Sequence, residues 1–268
     1  MVTFINGHGK DYKMICKLCQ KEKPLIKAHI IPDFLYKNLG LYEPDSKGQG
    51  RIHIGKIQNN KFYYNPKGIS DGEYDQNILC CNCDNVVLQK YEDYAKKVLF
   101  DGNYKLPEFQ HEYIKDTSLG CEYGLFKNID YTKFKLFLLS IFWRASISDR
   151  VFSGEVKFGV EINEIIRDML FNENPKDPED FCTILYFLNE PEITLQLMTN
   201  FKRIENNNTT RYSFIAGGMI FNFFLNKNDI PDNHKPFIFS KNGELKIFNM
   251  PKDKIRPTLN DFFEEKLF

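Results

Sequence analysis

Four cysteines in two CxxC pairs are the residues of this chain whose spacing points most directly to chemistry. Cys16 and Cys19 form the first pair, and Cys80 and Cys83 form the second. Each pair can bind a metal ion from a tight turn, and two pairs supply the four thiolates of one tetrahedral zinc site. Four thiolates close the coordination sphere, so the sequence predicts a structural Zn²⁺ that holds the fold and does not activate water.

Three further cysteines, Cys81, Cys121 and Cys182, have no partner at this spacing. We expect them to be free thiols that pack as small apolar side chains, because disulfides are rare in cytosolic proteins. Cys81 lies inside the second CxxC and is expected to point away from the metal.

The segment between the two pairs adds a histidine in a distinctive context. Residues 27–32 read KAHIIP, and the second pair is followed directly by Asp84. Together, CxxC, AHIIP and LCxxCD resemble the zinc-stapled branch of the HNH nuclease family, which has a ββα-metal fold. The resemblance covers roughly residues 14–95 and does not extend to the rest of the chain.

This resemblance implies a role for each matching residue. In the HNH family a histidine on a strand is the general base that takes a proton from water, and His29 matches it. A ligand on the following helix holds one divalent cation, and Asp84 matches it with a carboxylate suited to Mg²⁺ or Mn²⁺. A mid-motif asparagine orients the base. Asn77 matches this position by residue type, and Asp75 matches it by its distance from Cys80.

Ala28 is the main departure from the family pattern. Many members have a metal-binding Asp, Glu or His directly before the histidine, and alanine offers no ligand atom. Either the cation is held by fewer protein ligands, by His29 itself or by another carboxylate, or the site is inactive. The candidate carboxylates are Glu73, Asp75 and Glu92.

Plainer structural roles stay open for the two central residues. Asp84 lies where a helix is predicted to begin, so its carboxylate is a candidate N-cap. His29 is a candidate for a buried, hydrogen-bonded histidine or for a zinc ligand.

Basic residues are concentrated near the metal motif, although the whole chain has no net charge. Residues 1–70 contain 12 Lys and Arg against 5 Asp and Glu. This distribution favours phosphate binding, with Lys27, Lys37 and Arg51 as candidate substrate-binding residues, and the HNH resemblance implies DNA as the partner. The alternative is that these side chains only solvate the surface. Arg144, by contrast, is predicted to be a paired charge within the core.

The composition indicates a folded protein and excludes several classes. Of the 268 residues 42% are apolar, including 25 Phe and 14 Tyr. No apolar run approaches the ~20 residues that span a bilayer, and the N-terminus has no signal-peptide core. We therefore expect a cytoplasmic protein that does not contact membranes. P-loop, G-x-G-x-x-G and G-x-S-x-G motifs are absent, which excludes the nucleotide-binding and hydrolase classes that use them.

Hydrophobic periodicity predicts an α+β fold. The predicted helices cover residues 85–100, 133–147, 160–171 and a short tail segment, 258–268. The predicted strands are a hairpin of 51–57 with 61–65, the runs 182–188, 194–201 and 211–225, and a hairpin over 236–248 with Asn242-Gly243 in its turn. We predict an HNH-like zinc/ββα-metal module over 1–105, followed over 106–268 by helices and a mostly antiparallel sheet.

Two functional hypotheses follow. The first is a metal-dependent HNH-type endonuclease that hydrolyses DNA phosphodiester bonds. The resemblance suggests a bacterial setting for it, such as phage defence or a mobile element. The second part of the chain would then bind substrate, mediate assembly or regulate activity, and a protein partner or activator is expected. The alternative is a non-catalytic zinc module that binds nucleic acid or protein. An oxygen ligand from elsewhere in the chain that approaches His29 and Asp84 within metal reach favours the first hypothesis, and a packed core around His29 with no acidic neighbour contradicts it.

Overall fold

The structure is a computed structural model that describes residues 13–37, 42–44, 50–52, 55–58, 61–64, 72–100, 110–190, 198–206 and 209–262. Among the helices described, none is long and apolar enough to cross a membrane.

Short antiparallel strand pairs make up the first part of the chain. The strands are β1 (Lys13–Ile15), β2 (Glu22–Pro24), β3 (Ala28–His29), β4 (Tyr42–Pro44), β5 (Gly50–Ile52), β6 (Gly55–Gln58), β7 (Lys61–Tyr64) and β8 (Tyr74–Asp75). β1 pairs with β2, β3 with β8, β4 with β5 and β6 with β7. The β3–β8 pair carries His29, as expected of the strand that ends before Pro32.

The helices follow the predicted apolar periodicity closely. They are α1 (Asp33–Lys37), α2 (Gln89–Phe100), α3 (Tyr131–Ile147), α4 (Val160–Phe171) and α5 (Lys252–Asn260). A π-helical turn, Cys83–Leu88, runs directly into α2, and short 3₁₀ turns lie at Val151–Ser153, Lys227–Asp229 and Asp232–Phe237.

α3 is the centre of the core. Its sequence is apolar on almost every side, and the helix is buried on almost every side. The side chain of Asp130 caps it by accepting a hydrogen bond of 3.0 Å from the Lys133 backbone N–H. α3 packs between α2 and α4, and the Trp143 indole N–H donates to the carbonyl of Asn163 at 3.1 Å.

A seven-stranded sheet covers the second part of the chain. Its strands are β9 (Gln110–Asp116), β10 (Cys121–Lys127), β11 (Cys182–Leu188), β12 (Lys202–Asn206), β13 (Thr209–Ala216), β14 (Met219–Phe224) and β15 (Leu245–Met250). The spatial order is β12-β13-β14-β11-β15-β10-β9. Every neighbouring pair is antiparallel except β11 with β15, so the predicted mixed fold with a mostly antiparallel sheet is confirmed.

One hydrophobic cluster contains residues from both sides of position 105. Leu88 and Tyr91 of the first part belong to the same buried cluster as Phe137 and Phe221 of the second. The division at 105/106 stays a prediction.

Several strand boundaries differ from the predicted ones. The predicted hairpin of 51–57 with 61–65 holds for residues 55–58 with 61–64, but Arg51 and Ile52 pair with β4 instead. The run 211–225 is two strands, because Gly217 and Gly218 turn the chain with positive φ values of 61° and 73°. Of the run 194–201, Met198 forms an isolated bridge and residues 194–197 lie outside the described residues.

The prediction of a hairpin over 236–248 is wrong, although the predicted turn at Asn242-Gly243 is present. Residues 232–237 form a 3₁₀ turn, and β15 pairs with β10 and β11 rather than with the segment before it. The predicted tail helix begins earlier, at Lys252, and ends at Asn260, and residues 263–268 lie outside the described residues. The hairpin of β9 and β10 was not predicted.

Candidate metal centre and the histidine site beside it

The four predicted cysteines come together in one cluster. The Sγ atoms of Cys16, Cys19, Cys80 and Cys83 all lie within 4.8 Å of one another. Sulfur atoms bound to one zinc ion at about 2.3 Å in a tetrahedron lie about 3.8 Å apart, so the cluster fits a single Zn²⁺ ion. Three of the side chains are buried, and Cys19 is half-buried. The predicted metal cluster is therefore confirmed as a site that could hold such an ion.

Backbone hydrogen bonds shape the first cysteine turn and tie it to the second. The Cys16 N–H donates to the carbonyl of Lys21 at 3.0 Å, and Gln20 closes the turn in the left-handed region with a φ of 58°. The Lys17 N–H donates to the carbonyl of Ile78 at 2.8 Å, and the Cys80 N–H donates to Cys16 Sγ at 3.3 Å. The two cysteine pairs are thus aligned by the backbone as well as by their thiols.

Electrostatics show why this cluster favours a cation. Hydrogen bonds from the Cys83 thiol and from backbone N–H groups lower the pKa of Cys16 to about 4. The neighbouring Cys16 sulfur and burial raise the pKa of Cys83, and burial raises the pKa of Cys80. Buried thiols so close together resist ionising together, and a bound cation removes this repulsion because it neutralises the thiolates.

His29 is placed next to the cluster by the β3–β8 pair. Ala28 lies opposite Asp75, and His29 lies opposite Tyr74. Directly opposed residues of an antiparallel pair share a face, so Ala28 and Asp75 point to one side and His29 and Tyr74 to the other. Ala28 is fully buried, whereas the His29 ring is half-buried, with its Nε2 atom shielded from solvent.

Asp84 reaches the neighbourhood of His29 from the helix that follows the second cysteine pair. It lies in the π-helical turn, where the Gln89 N–H donates to the Asp84 carbonyl five residues earlier. Burial raises the pKa of its carboxyl, while the positive charges of Arg144 and His29 lower it. An acidic group is therefore close enough to His29 to interact with it electrostatically.

The N-cap role considered for Asp84 is wrong. The N-cap position is Asn82, and Asp84 is inside the helix with its N–H donating to the carbonyl of Cys80 at 3.1 Å. Its side chain is thus not used to cap the helix.

A buried ion pair lies beneath this site. Arg144 of α3 is 1% exposed, and one of its terminal nitrogens lies 2.8 Å from a carboxylate oxygen of Glu92 in α2. Its other terminal nitrogen donates to the backbone carbonyl of His29 at 2.8 Å, and its Nε donates to the carbonyl of Ser140 at 3.3 Å. The predicted paired charge in the core is confirmed. Arg144 also joins β3, α2 and α3 at the site.

Asp75 and Asn77 were both candidates for the residue that orients the histidine. The buried Asp75 carboxylate accepts hydrogen bonds from the Asn77 backbone N–H at 2.8 Å and from the Ser148 hydroxyl at 2.7 Å. Asn77 is exposed, and within the described part of the chain its side chain makes no hydrogen bond. Asp75 thus anchors β8 opposite Ala28, and the choice between Asp75 and Asn77 as the residue that orients His29 stays a prediction.

The predicted substrate-binding residues are only partly described. Lys27 Nζ lies 3.8 Å from the centroid of the Tyr74 ring, next to His29. Lys37 ends α1 and Arg51 lies in β5, but both side chains lie outside the described residues. Glu73, a candidate carboxylate, is half-buried, and burial raises its pKa.

In the part of the chain that the structure describes, only the cysteine cluster brings the ligand atoms of three or more His, Cys, Asp or Glu side chains within 4.8 Å of one another. Among these described side chains, none completes a preassembled three-ligand site with His29 and Asp84.

Comparisons with known proteins identify no relative of this chain. No protein-family model matches it, and neither a curated protein nor a solved structure is similar enough to count as a match. The assignment to the HNH family stays a prediction that rests on the residues.

Arg150 and Tyr74 also lie at this site, and the sequence did not single them out. Arg150 is the first basic residue after the buried helix α3. This position in the sequence gave only a weak indication that Arg150 belongs to the site. Its contact with Tyr74 joins residues far apart in the chain, and no local pattern predicts it.

The four-cysteine cluster makes a prediction about metal content. Protein purified without chelator should contain about one equivalent of zinc, as measured by mass spectrometry of the metal. Cys16→Ser and Cys83→Ser should each lower this content well below one and lower the melting temperature, because each removes a ligand. Cys81→Ser is the matched control, since Cys81 is exposed and outside the cluster. Full zinc content in Cys16→Ser and Cys83→Ser would contradict the assignment.

The buried ion pair makes a prediction about stability. Arg144→Met should lower the free energy of unfolding by about 3–5 kcal/mol, because it leaves the Glu92 carboxylate buried without its partner. Replacing both residues, as Arg144→Met with Glu92→Leu, should recover part of that loss. Lys133→Met is the control on the same helix, since its exposed ion pair with Asp130 contributes about 1 kcal/mol or less. Urea denaturation showing equal losses for Arg144→Met and Lys133→Met would refute the role given to Arg144.

Proposed function

We propose that the chain is a metal-dependent endonuclease of the HNH type that hydrolyses DNA phosphodiester bonds at His29 and Asp84. The observation that carries this proposal is the placement of His29 on the β3–β8 strand pair and of Asp84 in the helix that begins at the second cysteine pair, since both elements adjoin one cysteine cluster. The order of elements supports it too. Two short antiparallel strands are followed by a helix, and the cysteine cluster joins the segment before them to the start of that helix.

In this mechanism His29 is the general base. Its imidazole takes a proton from a water molecule, the resulting hydroxide attacks phosphorus, and the bond from phosphorus to the leaving 3′-oxygen breaks. The pairing of β3 with β8 and the hydrogen bond from Arg144 to the His29 carbonyl both hold the His29 backbone in place. The position of the His29 Cα atom, from which the imidazole extends, is therefore fixed. A divalent cation bound at Asp84 would stabilise the negative charge that develops on the leaving oxygen.

Asp84 is the carboxylate that the HNH resemblance assigns to that cation. Ala28 has no ligand atom, Glu92 is paired with Arg144, and Asp75 accepts hydrogen bonds from Ser148 and the Asn77 backbone. Mg²⁺ is commonly held by one or two carboxylates together with water and substrate phosphate. A site built on Asp84 with few protein ligands is consistent with this pattern, and the substrate would complete it.

A second candidate is a zinc module without catalysis that binds nucleic acid or protein. It is favoured by one observation, that the cysteine cluster is the only such three-ligand group among the described residues. The bacterial setting suggested by the HNH resemblance, in phage defence or a mobile element, belongs to the first candidate.

Plasmid cleavage tests the proposal. Zinc-loaded protein should convert supercoiled plasmid to nicked or linear DNA with added Mg²⁺ or Mn²⁺, and His29→Ala should lower the rate by about 10²–10⁴-fold, the usual contribution of a general base. Asp84→Asn should cause a comparable loss, because it removes the charged ligand. The matched controls are His111→Ala and Asp93→Asn, which replace exposed residues of the same types.

Each outcome of the cleavage assay decides between the candidates. Loss of cutting in the His29 and Asp84 variants alone, with zinc content unchanged, supports the nuclease. Metal-dependent cutting that survives both substitutions refutes the assigned site. Absence of cutting by the unaltered protein with either metal favours the zinc module.

A further inference from the structure

The end of α3 is attached to both strands of the β3–β8 pair. Arg144 and its C-cap residue Ser148 are four positions apart, so they lie on the same side of the helix. A terminal nitrogen of Arg144 donates to the His29 carbonyl in β3 at 2.8 Å, and the Ser148 hydroxyl donates to the Asp75 carboxylate in β8 at 2.7 Å. One helix end therefore holds the strand that carries His29 and the strand paired with it.

The hydrogen bond between Ser148 and Asp75 lies inside the protein. Ser148 is fully buried, and Asp75 is 6% exposed. A buried carboxylate that loses a hydrogen-bond donor is costly, because no water replaces that donor. Within the described residues, Ser148 is the only side chain that donates to Asp75, and the other donor is the nearby Asn77 backbone. Ser148 therefore ties the Asp75 side chain to the second part of the chain.

β8 in turn sets the position of β3. Asp75 lies directly opposite Ala28, the residue before His29, and the Ile30 N–H donates to the carbonyl of Glu73 at 2.9 Å. Asp75 and Ala28 share one face of the pair, so the His29 side chain extends from the other face. Each strand has only two residues, so a displacement of β8 also displaces the His29 backbone.

We propose that Ser148 is a positioning residue for His29, which it holds in place through Asp75 and β8. This inference rests on the proposed function, because it takes His29 as the general base. A general base must lie within hydrogen-bond reach of the water molecule whose proton it takes, so a displacement of about 1 Å slows the reaction. In this role Ser148 touches neither substrate nor water. It gives the second part of the chain a direct part in the geometry of catalysis.

Nuclear magnetic resonance of the histidine rings tests this proposal without requiring cleavage. In zinc-loaded protein with isotope-labelled histidine, the ring resonance of His29 is identified by its loss in His29→Ala. Ser148→Ala should shift this resonance by more than its linewidth. Ser146→Ala is the matched control and should leave it in place. Ser146 is also a buried serine of α3, but its hydroxyl accepts a hydrogen bond of 2.9 Å from the Phe158 backbone N–H.

Cleavage kinetics give a second readout. Ser148→Ala should lower kcat about tenfold and leave KM within about twofold, because the hydrogen bond positions the base and does not bind DNA. Combining Ser148→Ala with Asp75→Asn should lower kcat by less than the product of the two separate factors, because both substitutions change one hydrogen bond. If Ser148→Ala loses its zinc or its melting transition, Asp75→Asn, which keeps the side-chain volume, replaces it in both measurements.

The two readouts separate this inference from the proposed function. If Ser148→Ala shifts the His29 resonance while the unaltered protein never cuts DNA, Ser148 still positions His29 and the nuclease proposal fails. If the unaltered protein cuts DNA and Ser148→Ala changes neither kcat nor the His29 resonance, the positioning role fails and the nuclease proposal stands. An equal shift in Ser146→Ala, or a change in KM alone, overturns the inference.

Discussion

The guanidinium of Arg144 is a positive charge inside the core, and the geometry of the His29 site depends on how that charge is compensated. Burial of an isolated charge is costly, so Arg144 must be paired and hydrogen-bonded. Glu92 compensates its charge, and the carbonyl groups of His29 and Ser140 accept its other hydrogen bonds. These partners come from α2, β3 and α3, so the ion pair and hydrogen bonds of this one side chain align three elements. Burial raises the pKa of Asp84, and the charge of the same arginine opposes this rise, which links the core to the carboxylate beside the histidine.

The cysteine cluster and the histidine site have different tasks. The cluster joins the Cys16–Cys19 turn to the start of the helix that carries Asp84, and its four sulfur ligands leave no position for substrate. His29 lies beside it on β3, and Asp84 lies in the helical turn that begins at Cys83. One small region therefore contains a cluster that could hold a structural metal ion and, next to it, the two residues that we propose for catalysis.

Local patterns predicted much of the fold, and long-range contacts account for most of what they missed. The CxxC spacing predicted the cluster, and apolar periodicity predicted α3 and α4 because both signals are contained within short segments. The N-cap alternative for Asp84 was wrong, since spacing does not reveal the π-helical turn that begins at Cys83 and puts Asp84 inside the helix. The hairpin before β15 was wrong because β15 pairs with strands distant in sequence. Arg150 was missed for the same reason: its contact with Tyr74 exists only in the folded chain.

The proposed nuclease requires Asp84, beside His29, to bind a divalent cation separate from any ion in the cysteine cluster. Titration of zinc-loaded protein with Mn²⁺, followed by the loss of the free-ion signal in electron paramagnetic resonance, measures this directly. One Mn²⁺ should bind per chain, with affinity lowered about tenfold or more by Asp84→Asn and unchanged by Asp93→Asn in the same helix. Equal Mn²⁺ binding by the unaltered protein and Asp84→Asn, with zinc retained in both, would contradict it.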